Sequence, residues 1–300
     1  VPVYHQTYAH YTGRYLPRNI LWTLIAQSGL KHTWRKKGFR ILLMISSVQF
    51  LIQSFRIYMA ANSDLLKYLG FNNPHEFQDI LAINDTFYYH FLNVQIFFCF
   101  LITLVAGADI ISADRRTKAL VLYLSKPLTR LDYLFGKGAV VLFYLYVVTL
   151  LQALLLMFLQ AFFTDNWSYL TGNTQLILRI FAYANVIVLP FLLLILAFSS
   201  LSRSKIAAAT MFCTVFMIPQ PMTLILKNML NNPMFRGLNE KDWWSLLSYQ
   251  TICEQMGNAI FHQRLPYNLP WIWHAAVLAI VCILAAVVLY QQIRAVEVVN

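Results

Sequence analysis

The sequence predicts an all-α integral membrane protein with six transmembrane helices, and three observations carry that reading. Of its 300 residues, 59% are hydrophobic and only 12% charged. The mean hydropathy is +0.57, far more apolar than a soluble domain of this length. Five uncharged runs are each long enough to cross a hydrocarbon core of about 30 Å as a helix, and a sixth is interrupted only by Arg56. Lys and Arg gather beside one end of these runs. No long polar stretch exists to form a soluble domain, so residues 1–300 read as a single membrane domain. The four cysteines are scattered, with neither metal-ligand spacing nor a disulfide framework.

In chain order, "PRNILWTLIAQSGLKHTWRKKGFR" puts Ile20, Leu21, Leu24 and Ile25 on one helical face and ends in a basic cluster. That pattern predicts an amphipathic helix over residues 18–38 in the inner interface, with Trp22 and Trp34 at headgroup depth. The plainer alternative is a solvated basic tail. The spans follow at about 41–62, 88–108, 138–162, 180–202, 206–226 and 270–293. Arg56 lies about 22 Å beyond Ile41 along a helix, near the far face, where its side chain can snorkel to the headgroups. Asn73, Pro74 and Glu76 predict a short outer helix. Pro190 in the fourth span, and Pro219 with Pro221 in the fifth, should bend those helices and free carbonyls for neighbouring groups to satisfy. Between the last two spans, residues 242–261 carry apolar side chains at helical spacing among too many polar ones to cross a membrane. They read as a helical hairpin against the outer leaflet, broken at Gly257–Asn258.

Sixteen of the twenty-three Lys and Arg residues fall on one side of these spans, which defines it as cytoplasmic and places both termini there. The net charge of +11 is then a matter of topology, and a nucleic-acid partner loses its main support.

The segment Ser112–Lys137, "SADRRTKALVLYLSKPLTRLDYLFGK", joins the second and third spans with six basic residues against two Asp. It reads as two short helices around a break. Arg115 to Ser125 favours helix, Pro127 interrupts it, and Thr129 with Asp132 forms a capping-box pattern that restarts a helix into the third span. Leu120, Val121, Leu122, Tyr123 and Leu124 make an apolar patch in a cytoplasmic loop. Such a patch either wants a protein partner or lies back on the membrane surface.

At these residues the sequence resembles the permease subunits of type 2 ABC transporters, a mostly export-directed group. The order of features is similar, and the segment matches the family pattern at Asp114, Arg115, Leu122, Ser125, Pro127, Arg130, Gly136 and Lys137. The resemblance implies that the segment is a coupling helix seated in a groove of a separate cytoplasmic ATPase. Asp114, Arg115, Arg116, Lys118, Leu122, Tyr123, Leu124, Ser125, Lys126 and Pro127 would form the contact surface. Thr129, Arg130, Asp132, Gly136 and Lys137 would form the lead into the third span. It further implies a second permease copy or related permease, a place in the cell (inner) membrane among its lipids, and ATP with Mg bound on the partner chain, with no cofactor in this one.

No ATPase is encoded here. Leu131 stands where a phosphate-binding loop ending at Gly136–Lys137 needs its first Gly, and Gly138 follows where Ser or Thr is required. No G-x-S-x-G or H-E-x-x-H motif occurs, so the chain is not expected to be an enzyme. Gln49, Gln53, Gln95, Gln152 and Gln220 are polar groups at membrane depth that either line a substrate path or join helices by hydrogen bonds. The absence of a paired intramembrane carboxylate argues against a proton-driven carrier. The expected function is the membrane subunit of an ATP-driven exporter, acting as a dimer. The alternative is a non-transporting anchor or scaffold subunit of a larger complex.

Overall fold

The computed structural model describes residues 21–62, 83–118, 129–230 and 242–294, and among them every regular element is helical. The first helix, α1 (Leu21–Arg35), is followed by the first span, α2 (Lys37–Ala61), after a single extended residue, Lys36. The second span, α3 (Asp85–Gly107), begins with Asn84 as N-cap, its side chain accepting from the Phe87 N–H at 3.1 Å. It turns into the five-residue α4 (Ser112–Arg116). The third span is composite: α5 (Arg130–Tyr146), a π-helical turn at Val147–Leu151, and α6 (Gln152–Phe163). A short α7 (Ser168–Gly172) leads to the fourth span, α8 (Thr174–Leu201). The fifth span divides into α9 (Lys205–Met217) and α10 (Pro219–Leu230). A 3-10 turn at Trp243–Leu246 precedes α11 (Tyr249–Ile260), and α12 (Trp271–Arg294) is the sixth span. Among the described residues, six stretches are long and apolar enough to cross a membrane, as the sequence predicts.

The spans divide into a core and a periphery. In the most apolar window of the second, third and fourth spans, 61%, 56% and 61% of residues are buried, against 17%, 11% and 17% in the first, fifth and sixth. The first group forms the packed centre, with α8 touching α3, α5, α9, α11 and α12. The others turn most of their surface outward, where lipid or another chain supplies the apolar medium.

The prolines behave as their chemistry requires. Pro190 lies inside α8 and has no N–H to offer the Val186 carbonyl four residues back. The Tyr249 hydroxyl of α11 donates there instead, at 3.3 Å to Val186 O and 2.8 Å to Ile187 O. Pro219 opens α10 directly after the break at Ile218.

Residues 242–261 differ from the expected leaflet hairpin. The break lies at Leu247–Ser248, and α11 continues through Gly257 and Asn258 to Ile260. The helix packs against α3, α8 and α12, with Thr251, Ile252, Cys253, Gln255, Met256, Gly257 and Asn258 buried. Gly257 is a contact point here, not a breaker. A Cβ on it would come within 2.6 Å of Tyr89 and 2.7 Å of Tyr183, so only glycine lets the three elements close. Arg56 lies at the end of α2 that meets the start of α3, its guanidinium 4.9 Å from the centre of the Phe87 ring. The outer helix expected from Asn73 and the apolar patch Leu120–Leu124 lie outside the described residues.

Candidate functional site at the basic end

The basic end of the bundle is where α1, the starts of α2, α5 and α9, the ends of α3, α8 and α12, and α4 converge. Two close approaches place α1 across α5. A Cβ on Gly136 would lie 2.9 Å from the Trp22 carbonyl oxygen and 2.8 Å from Ile25 Cβ, and one on Gly29 would lie 2.6 Å from Val140 Cγ2. The crossing is sealed by the Tyr144 hydroxyl, which donates to Leu30 O at 3.0 Å. Gly136 therefore has a structural reason for its place in the segment.

The elbow from α3 into α4 is held by Ser199 of α8. Its Oγ accepts from the backbone N–H groups of Ile111 and Ser112, each at 3.0 Å, and donates to Ala108 O at 3.1 Å. Ser112 Oγ donates to the same carbonyl at 2.9 Å. One buried hydroxyl thus satisfies donors and an acceptor that the turn would otherwise strand, at a cost of about 1–3 kcal/mol for each stranded group.

Two side chains of α4 reach other spans. Asp114 Oδ2 pairs with Lys137 Nζ at 2.7 Å and accepts from the Tyr133 hydroxyl at 2.7 Å. Tyr133 and Lys137 stand four residues apart on one face of α5, and the ammonium lies 5.6 Å from the Tyr133 ring centre. Arg115 Nη1 donates to Gln292 Oε1 of α12 at 3.4 Å. Arg116 and Lys118 are exposed, and Lys118 takes a left-handed φ of 55° just past the end of α4. Leu122, Tyr123, Leu124, Ser125, Lys126 and Pro127 lie outside the described residues. The chain re-enters at Thr129 with the expected capping box: Thr129 Oγ1 accepts from Asp132 N at 3.1 Å, and Thr129 N donates to Asp132 Oδ2 at 3.0 Å. Arg130 is the first residue of α5.

Between α1 and the ends of α3, α4 and α5 lies a cleft of about 720 Å³. Lys36, Asp109, Asp114 and Lys137 are among the charged residues on its wall. Burial and the nearby Lys205 ammonium hold the Lys36 pKa below its usual range, while Asp109 acts the other way.

The five glutamines separate into two settings. Gln95 Nε2 donates to Gln152 Oε1 at 2.9 Å, and Gln152 Nε2 to Ser47 Oγ at 3.2 Å, so both are engaged between α2, α3 and α6. Gln152 opens α6 directly after the π turn. Gln220 borders two cavities, of about 330 and 150 Å³, with its Oε1 accepting from Ser248 Oγ at 2.8 Å. Asn93, whose Oδ1 is buried without a hydrogen-bond partner among the described residues, lines the larger cavity with Phe97, Phe216 and Gln250. Gln49 and Gln53 are half-buried on α2, and Gln53 Oε1 has no hydrogen-bond partner among the described residues.

Sequence reasoning missed Ser199, Gly29, Tyr133 and Asn93. Tyr133 was findable, being one turn before Lys137. Ser199 sits in a run of small residues at a span end that carries no signal until the α3 elbow is seen beside it.

No curated protein matches the chain. The sequence profile of the family described as "ABC-2 family transporter protein" matches residues 25–292, which takes in α1 but for its first four residues, all six spans, and the elbow and loop between the second and third. With the six-helix architecture and the helix-bearing loop already in place, this match shows that the chain belongs to the ABC-2 transporter family, as a membrane-spanning permease subunit of an ABC transporter.

Proposed function

We propose that this permease works with a separate cytoplasmic ATPase that seats the segment Asp114–Pro127, and that it forms an export pathway with a second permease, identical or related. ATP and Mg belong on the partner. On this reading the basic end faces the cytoplasm of the cell (inner) membrane and both termini lie there, in keeping with the placement of Lys and Arg.

The observation that carries the reading is the anchoring of α4. It is bonded to α5 through Asp114, to α8 through Ser199 and to α12 through Arg115. A push that reaches α4 is therefore delivered to three spans at once. Closure of the ATPase on ATP would move these spans together and exchange inward for outward access. The cavities around Gln220, Asn93 and Phe216 are the best-placed part of a pathway, apolar with a few amide groups, which suits an amphipathic cargo.

Attachment should rest on the apolar patch more than on charge. Burying Leu122 and Tyr123 together is worth about 3–5 kcal/mol, whereas an exposed ion pair contributes less than about 1 kcal/mol. Leu122→Asp combined with Tyr123→Ala is expected to release the ATPase from the purified complex while the membrane domain stays folded, and Arg116→Ala alone to change little. Retention of the ATPase and of ATP turnover in the double variant would refute the coupling role and favour a docking or anchoring subunit.

A further inference from the structure

We propose that the cleft between α1, α3, α4 and α5 holds the phosphoethanolamine headgroup of a membrane phospholipid, with its ammonium on Asp109 and its phosphate on Lys36. The cleft's volume, about 720 Å³, falls in the range of small-molecule sites, roughly 300–1,000 Å³. Of the four charged groups named on its wall, Asp114 and Lys137 are spent on each other at 2.7 Å. The other two are not. Asp109 Oδ1 is buried with no hydrogen-bond partner among the described residues, a state that calls for a ligand or ordered water. Lys36 forms no ion pair within 4 Å among the described residues, although it feels the charges of both Asp109 and Lys205.

An anion and a cation facing one cleft without touching are complementary to a zwitterion. The positive charge of Lys36 assigns the phosphate to its side and leaves the ammonium for Asp109. A primary ammonium offers N–H donors to the stranded carboxylate oxygen, and a quaternary choline offers none. The lipid source follows from depth and wall chemistry. Trp22 and Trp34 of α1 are 37% and 55% exposed, as befits a helix at the headgroup level. The polar groups share the cleft with Leu24, Ile25, Ile110 and Val140, against which the glycerol and upper chain carbons can lie. The inference does not depend on the partner ATPase, because lipid retention needs no nucleotide.

The test is native mass spectrometry of the full-length protein, with any copurifying subunits, released from nanodiscs of mixed phosphatidylethanolamine, its N-methyl and N,N-dimethyl forms, phosphatidylcholine and phosphatidylglycerol. Wild type should retain phosphatidylethanolamine about tenfold over phosphatidylcholine, the scale of one charge-assisted hydrogen bond, with retention falling as methyl groups are added. Asp109→Asn should erase that preference, and Lys36→Gln should weaken retention of the ethanolamine and choline lipids alike. The methylation series needs no variant, so a misfolded mutant does not blunt the test. Equal retention across the series, or an unchanged preference in Asp109→Asn, would overturn the proposal. Millimolar glycerophosphoethanolamine should fail to displace the lipid, and its displacing it would overturn the lipid source in favour of a water-soluble ligand.

Discussion

At the end of the bundle opposite the basic one, Gly257 lies so close to Tyr89 and Tyr183 that no side chain fits, while at the basic end α1 and the ends of α3, α4 and α5 stand around a cleft of about 720 Å³. The polar side chains of α11 are tied within the helix and to its neighbours. Asn258 Nδ2 donates to the Tyr89 hydroxyl at 3.0 Å, Gln255 Nε2 to Leu269 O at 2.8 Å, and the Tyr267 hydroxyl to Glu254 Oε2 at 2.9 Å. The basic end instead spends its bonds on α4, a helix of five residues that could not hold its shape alone. Close packing at Gly257 ties that face of α11 to the core. Discrete polar anchors make the basic end a lever, whose connection can be cut bond by bond without unfolding the bundle.

That contrast can be broken most severely in α11. Gly257→Val should force Tyr89 and Tyr183 apart and lower stability by about 3 kcal/mol, the upper part of the usual range for overpacking, read as a drop in the detergent-solubilised melting temperature. Ser199→Ala should be milder in stability, about 1–3 kcal/mol for the N–H groups left without an acceptor. Its larger effect should be functional: the ATPase stays bound, but its turnover no longer responds to the permease. A loss of binding in Ser199→Ala would mean that the elbow shapes the docking surface and does not transmit load. Gln95→Leu or Gln152→Leu should each cost about 1 kcal/mol, in line with interhelical hydrogen bonds in membranes, and should leave ATPase binding intact. Least of all, Thr129→Ala should cost about 1 kcal/mol or less at an exposed N-cap, seen as fraying of the first turn of α5.

Where the sequence and the structure part company, the reason is local. The spans were legible because hydrocarbon imposes a length and forbids charge. The capping box at Thr129 and Asp132 was legible because both partners are near in sequence. The fate of α11 was not, since an amphipathic period states only that one face is apolar, and lipid and protein satisfy it equally. Gly257 read as a breaker because its partners, Tyr89 and Tyr183, stand 168 and 74 residues away in the chain. Ser199 was silent for the same reason, its bonds reaching across 88 and 87 positions. At the candidate site, residues local to the loop could be named in advance. The groups that tie them to the rest of the molecule needed the fold.

The central claim is that α4 carries the motion of the loop into the spans while α11 rides with the core, and hydrogen–deuterium exchange on the complex tests it most directly. Compared with the nucleotide-free complex, a non-hydrolysable ATP analogue should change exchange in residues 119–128, in Asp109–Arg116 and at the α8 end around Ser199, with protection of α11 unaltered. In Ser199→Ala the change should stop within the loop. Changes that reach α11 while bypassing Asp109–Arg116, or that are identical in wild type and Ser199→Ala, would contradict the account.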